Sequence, residues 1–227
     1  MKKQADPANK MIKVELLHES PITRNIFHLL VRQINDRCMA KITAPEAETI
    51  VELDIRKDVG NEGFSIKREN RKIRIVGGDE RGLLYGVGKF LRTSRFKRGA
   101  FVPSSWEGTS LPACPVRGIY LAVHYNNFYE AAPEEEVLRY VEELALWGMN
   151  VVAVHFPTWQ FAGFEDPAAR SSLERLRTIL RKARSIGIGT ALIQCPNQGF
   201  KNAPKEIRFK PFPDDWKRRG YHGVNIC

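Results

Sequence analysis

Three clusters of amide, imidazole and aromatic side chains stand out in the second half of this 227-residue sequence. The first is His124, Tyr125, Asn126 and Asn127. The second is His155 and Trp159, with Thr158 and Gln160 beside them. The third is Gln194 and Asn197, with Cys195 and Gln198 alongside. Asn and Gln present a planar donor–acceptor pair that matches two neighbouring hydroxyls. An aromatic ring presents a flat apolar face to the C–H side of a sugar ring. Together these types point to saccharide binding. Each also has a structural alternative: Asn126-Asn127 as a turn, since Asn tolerates left-handed backbone; His124 and His155 as hydrogen-bonded strand-end residues; Trp159 as packing. Gln194 and Asn197 are candidates by position alone.

Carboxylates are the other half of glycosidic chemistry. Hydrolysis needs two of them roughly 5 to 9.5 Å apart, one an acid and the other a base or nucleophile. The sequence offers no such pair with a free assignment. Glu165-Asp166 reads as a helix cap, and Glu134, Glu135 and Glu136 as the first turn of a helix, where its dipole favours them. Asp214-Asp215 lies in the terminal loop. Glu130 alone falls near the tip of a strand. No catalytic residue is therefore assigned. No cofactor or metal is implied: there is no HExxH, and His18 and His28 read as structural. Cys38, Cys114, Cys195 and Cys227 form no CxxC pair and read as free thiols.

The elements that must position these clusters change style near residue 110. Before it, MIKVELL (11–17) and TIVELDI (49–55) read as strands. Ser20-Pro21 supplies an N-cap and an N1 proline. Ile22, Ile26, Leu30 and Ile34 then mark one helix face. GFSIKRENRKIRIVGG reads as a hairpin, with Phe64 and Ile66 answering Ile73 and Ile75 across the polar turn Glu69-Asn70. GDERGLLYGVGKFLRTS reads as a helix whose Gly82, Gly86 and Gly88 weaken it in isolation but suit close packing on a sheet.

After residue 115 the pattern is strand–helix–strand–helix–strand. VRGIYLAV (116–123) is a continuous apolar run, expected to be a buried strand. PEEEVLRYVEELALWGMN is expected to be a helix with Val137, Val141 and Leu144 inward. VVAVHF follows as a strand, then a helix from Asp166-Pro167 with Leu173, Leu176, Leu180 and Ala183 inward, then GTALIQ. Such alternation implies a parallel sheet. In a (β/α)8 barrel the working face lies at the C-terminal strand ends, where all three clusters fall. Such a barrel takes about 250 residues and eight strands. The fold class expected is therefore α/β and α+β: a small α+β sheet-plus-helices domain followed by an incomplete TIM-type (β/α)8 barrel. The expected division is a disordered 1–10, an α+β domain over 11–100, a linker over 101–115, and the first three βα units of a barrel over 116–227.

Two segments resemble known enzymes. GFSIKRENRKIRIVGGDERGLLYGVGKFLR (63–92) resembles the non-catalytic N-terminal domain of family 20 glycoside hydrolases, which also accompanies related glucuronidases and glucosaminidases. PVRGIYLAVHYNNFYEAAPEEEVLRYVEELALWGMNVVAVHF (115–156) resembles the opening of the catalytic barrel in the same enzymes. The likeness covers residues 48–160, with the two segments in the family's order. It implies a hexosaminidase-like or glucuronidase-like glycosidase fragment, with Arg117-Gly118 and His155 matching the family pattern. The family's first-strand Asp and sugar-holding Arg fall on Ala122 and Tyr125, so that contact is not carried over. The family's Asp-Glu pair has its place after a fourth strand, beyond Cys227. The expectation is that this chain alone is inactive.

Three function classes compete: the N-terminal part of a glycoside hydrolase, a non-catalytic carbohydrate-binding or interaction protein, and a basic nucleic-acid binder. The net charge of +10 suits nucleic acid or an anionic ligand. The cations are spread out, however, and no RNA-binding aromatic signature or helix-turn-helix pattern accompanies them. The expected partner is a carbohydrate, with no nucleic acid. No apolar run reaches 18 residues, so no membrane span is expected. Without a signal peptide the expected location is cytoplasmic, or periplasmic or secreted if the true start differs, for example at Met11.

Overall fold

The structure is a computed structural model and describes residues 11–122, 128–195, 197–208 and 224–225. The expected disordered segment 1–10 lies outside them.

β1 (Ile12–Leu16) leads to α1 (Pro21–Cys38). The start of α1 follows from its cap. Ser20 Oγ accepts from the Thr23 amide at 3.1 Å, and the Ser20 amide donates to Thr23 Oγ1 at 2.8 Å. This reciprocal pair satisfies two amides that the helix leaves open. Ile26, Leu30 and Ile34 are fully buried, as the four-residue step requires. β2 (Thr49–Ile55), β3 (Phe64–Glu69), β4 (Lys72–Gly77) and α2 (Glu80–Thr93) follow. The hairpin turn is Asn70-Arg71, one residue later than expected, with Asn70 at φ 54°. Ile66 faces Ile75, while Phe64 faces Gly77 rather than an isoleucine.

The stretch after α2 holds β5 (Arg95–Lys97), β6 (Ala100–Val102) and β7 (Gly108–Ser110). β7 pairs antiparallel with β3, which completes a five-stranded sheet in the order β1-β2-β4-β3-β7. β1, β2 and β4 are mutually parallel. Val51, Leu53, Ile66, Ile73 and Ile75 fill one face, each at most 1% exposed, under α1 and α2.

β8 (Gly118–Leu121), α3 (Phe128–Ala131), α4 (Glu134–Leu146), β9 (Val151–His155), α5 (Pro167–Ser185) and β10 (Gly189–Ile193) form the second part. The sheet order is β10-β9-β8, and both pairings are parallel. Val152 and Val154 of β9 are fully buried, as are Val137 and Val141 of α4 and Ile179 and Ala183 of α5. The expectation that 116–123 is buried on both faces does not hold. Leu121 is buried, but Gly118 is exposed and Tyr120 is 41% exposed. β8 is an edge strand, and its Tyr120 shares a face with Ala153, away from the valines. β11 (Gln198–Gly199) and β12 (Val224–Asn225) pair antiparallel beyond it.

α1 and α2 form one helix layer and α4 and α5 another, and the two layers pack on each other between the sheets. Gly88 makes this possible. A Cβ there would lie 1.8 Å from the Leu146 carbonyl oxygen. Glu142 of α4, 3% exposed, ties the layers together: it receives Arg32 of α1 and, at 2.5 Å, Lys182 of α5. Among the described residues no helix is long and apolar enough to cross a membrane.

Candidate functional site

β9 delivers His155 to its C-terminal end, 3% exposed. Nδ1 lies 2.8 Å from the Ile193 carbonyl oxygen of β10. A carbonyl only accepts, so Nδ1 carries the proton. That bond fixes the ring orientation and locks the tips of two neighbouring strands. Trp159, one turn on, lies against the imidazole with ring centres 5.2 Å apart. Its short 3₁₀ turn, Thr158–Gln160, is tied to the loop after β10: Thr158 Oγ1 donates to the Gln198 carbonyl at 3.1 Å. Gln194 Nε2 stands 3.5 Å from the same hydroxyl. Asn197 is exposed in the turn closed by the Gln198 amide on the Cys195 carbonyl. The Gln198 side-chain oxygen is buried and has no hydrogen-bond partner among the described residues.

The second and third clusters therefore converge on one neighbourhood through the link between Thr158 and the Gln194–Gln198 loop. His124, Tyr125, Asn126 and Asn127, the first cluster, lie outside the described residues. Sequence reasoning missed what braces the two described loops. Phe156 and Phe161 stack at 5.3 Å, Phe164 meets Phe200 edge-on at 4.7 Å, and the Lys201 amide donates to the Phe161 carbonyl at 2.9 Å. The four phenylalanines carry no period, so no local signal announces them.

Three described carboxylates near this end are engaged by backbone amides or by arginines. Asp166 accepts from the Ala162 and Ala168 amides, each at 2.9 Å, and these bonds hold its carboxyl below the usual range. Glu165 pairs with Arg170, and Glu135 with Arg139. Asp214 and Asp215 lie outside the described residues. Among the described residues no group of three His, Cys, Asp or Glu side chains could hold a metal.

Arg117, which enters β8 from its other end, is a junction residue. Its Nε donates to the Gly148 carbonyl at 2.7 Å, and its Nη2 reaches both Glu62 and, at 3.1 Å, the Tyr85 hydroxyl. Asn150 Oδ1 accepts from the Arg117 amide at 2.8 Å, and Asn150 Nδ2 donates to the Pro115 carbonyl at 2.7 Å and to Glu62. Arg81 Nη1 takes the other Glu62 oxygen at 2.7 Å. Burial alone would raise the Glu62 pKa, but the hydrogen bonds from Arg117, Arg81 and Asn150 outweigh it and hold the carboxyl below its ordinary value. Burial pushes the Tyr85 phenol up to about 12. The Arg-Gly pair thus anchors the first β-strand of the second sheet to the first unit.

This fold recurs in solved structures. A GH20 β-N-acetylhexosaminidase from Streptomyces coelicolor A3(2) superposes with a TM-score of 0.63 at 17% identity, over 86% of this chain and 43% of that one. The fold is family-20-like. The Flavobacterium johnsoniae chitobiase, another GH20 enzyme, matches this family-20-like chain with a TM-score of 0.55 at 20% identity, over 81% and 31%. A GH138 enzyme targeting pectin rhamnogalacturonan II gives 0.58 at 14% identity, again over 81% and 31%. At these identities the likeness is one of fold. The family-20-like chain spans less than half the length of these enzymes. No family model and no curated protein matches its sequence.

Proposed function

We propose that the chain is the N-terminal part of a glycoside hydrolase that cleaves O-glycosyl bonds in oligosaccharides or glycans, hexosaminidase-like or glucuronidase-like in substrate. Residues 11–100 form its non-catalytic α+β domain, 101–115 a connector that lends β7 to that domain's sheet, and 116–227 the first βα units of its barrel. His155, Trp159, Gln194 and Asn197, with His124, Tyr125, Asn126 and Asn127, form one wall of the sugar site. His155 orients Trp159 and the β9 and β10 tips. Trp159 offers its indole to a pyranose face. The amides of Gln194 and Asn197 take hydroxyls. The acid and its partner carboxylate come from further barrel strands.

The observation that carries this reading is the convergence of His155, Trp159 and Gln194 at the C-terminal ends of two parallel strands, the end where barrel enzymes work. Apolar side chains that a closed barrel would cover support it: Tyr120 is 41%, Leu192 60% and Ile193 41% exposed. On this reading the pure 227-residue chain turns over no aryl N-acetylglucosaminide or aryl glucuronide. Measurable hydrolysis by homogeneous material, abolished by no substitution outside residues 116–227, would overturn the assignment of catalysis to further strands.

A further inference from the structure

At the opposite end of β8 and β9 from His155, a cleft of about 280 Å³ opens between the first unit and α4. That is near the lower bound of roughly 300 Å³ for small-molecule sites. One wall is a stripe of α2: Tyr85, Lys89 and Arg92, at i, i+4 and i+7, share a helix face. Trp106, on the arm leading to β7, closes one side, and Trp147, at the end of α4, closes the other.

The charges are unbalanced. Glu62 at the floor is satisfied by Arg117, Arg81 and Asn150. Glu143, the carboxylate felt by Arg92, is engaged by Gln33 at 2.7 Å and Arg37 at 3.1 Å. Lys89 and Arg92 form no ion pair among the described residues. Each lies on an indole instead: Lys89 Nζ is 4.6 Å from the Trp106 ring centre, and the Arg92 guanidinium carbon is 4.4 Å from that of Trp147. Arg92 also donates to the Leu146 carbonyl, which fixes its direction. The cations are thus held in place by aromatic faces rather than neutralised. Trp147 is 70% exposed even so.

We infer that this cleft is a second ligand site, separate from the strand-tip site, and that it binds a carboxylate-bearing saccharide of the uronic acid class. The carboxylate sits between Lys89 and Arg92. The C–H face of the pyranose packs on the exposed side of Trp147 that Arg92 does not cover. The pairing of two oriented cations with two indoles selects this class over a neutral sugar, which leaves the cations without an anion. It also selects against a nucleic acid strand, whose phosphates need an extended basic track. The inference does not rest on the hydrolase reading, since it concerns the other end of the strands.

The test is a titration of the full 227-residue chain with a glucuronic acid disaccharide, followed by calorimetry and by the indole N–H signals of its tryptophans. Controls are the disaccharide's dimethyl ester, inorganic sulfate and a short oligothymidylate. The expected result is saturable binding of the acid that shifts the Trp106 and Trp147 signals and leaves Trp159 in place. The ester then binds at least roughly tenfold more weakly, as loss of a charge-assisted contact predicts. Lys89→Gln and Arg92→Gln each weaken the acid by a similar factor. Trp147→Ala, at a position 70% exposed, weakens it too, so the inference stays testable if a charge variant misfolds. Equal affinity for the ester removes the carboxylate from the account. Sulfate or the oligonucleotide matching the disaccharide removes the saccharide. No saturation, or shifts at Trp159 alone, overturns the site.

Discussion

The two sheets of this molecule are written in similar residues and buried very differently. In the first, Val51, Leu53, Ile66, Ile73 and Ile75 are sealed beneath α1 and α2. In the second, β9 is covered as well, but its neighbours only in part: Leu121 of β8 is buried and Leu192 of β10 is not. Leu192 of β10 lies in register with Val154 of β9, yet Val154 is fully buried and Leu192 is 60% exposed. The residue type is alike and the strand pairing is complete. What differs is the element that should lie over it. α5 packs against both β9 and β10, but among the described residues nothing lies over the outer side of β10 at Leu192. Burial is therefore a property of the layer above a strand, not of the strand's own composition.

The largest expected effect comes from emptying the covered sheet. Leu53→Ala should cost about 2–5 kcal/mol of unfolding free energy, measured by urea denaturation with the slope unchanged. A cost below about 1 kcal/mol would mean the first sheet is not the packed core described.

An intermediate effect is expected at the clamp between the regions. Glu62→Gln leaves Arg117 without its carboxylate and should cost about 2 kcal/mol at neutral pH. The pH dependence has a definite sign. The Glu62 pKa is lowered in the folded protein, so its contribution is fully present above the unfolded value of about 4.3. It is lost as pH falls through the folded value. Wild type should lose stability faster than Glu62→Gln on acidification, and the two curves should converge at low pH. Glu52, whose carboxyl is lowered chiefly by Lys72 with help from Arg74, adds to the slope in both proteins and cancels in the difference.

The smallest effect is expected on the uncovered side. Leu192→Ser should change stability by no more than about 0.5 kcal/mol, while lowering any self-association seen by sedimentation. A loss comparable with Leu53→Ala would show that something covers β10 and would erase the contrast.

Much of this was legible in the sequence because it is local. The cap at Ser20, the bounds of β2 and the glycines of α2 follow from rules that span a few residues. Gly82, Gly86 and Gly88 announced a close approach, although Gly88 meets α4 rather than a sheet. What escaped was non-local. β7 is three residues without a pattern, and only its partner β3 makes it a strand. The apolar run at β8 reads as buried until the sheet is seen to stop there. At the candidate site, His155 and Trp159 were legible as strand-tip residues. The bond from His155 to Ile193 and the phenylalanine brace required two loops some forty residues apart to meet. The family-20 likeness noted at residues 48–160 agrees with the solved structures at the level of fold.

The central claim is that the C-terminal ends of β9 and β10 form part of a sugar site. A titration of the 15N-labelled chain with N-acetylglucosamine and a chitooligosaccharide tests it most directly. The account predicts progressive shifts centred on His155, Trp159, Gln194 and Asn197, diminished in Trp159→Ala. Shifts that instead gather at the Trp106–Trp147 cleft, or no shifts at saturating sugar, would contradict it.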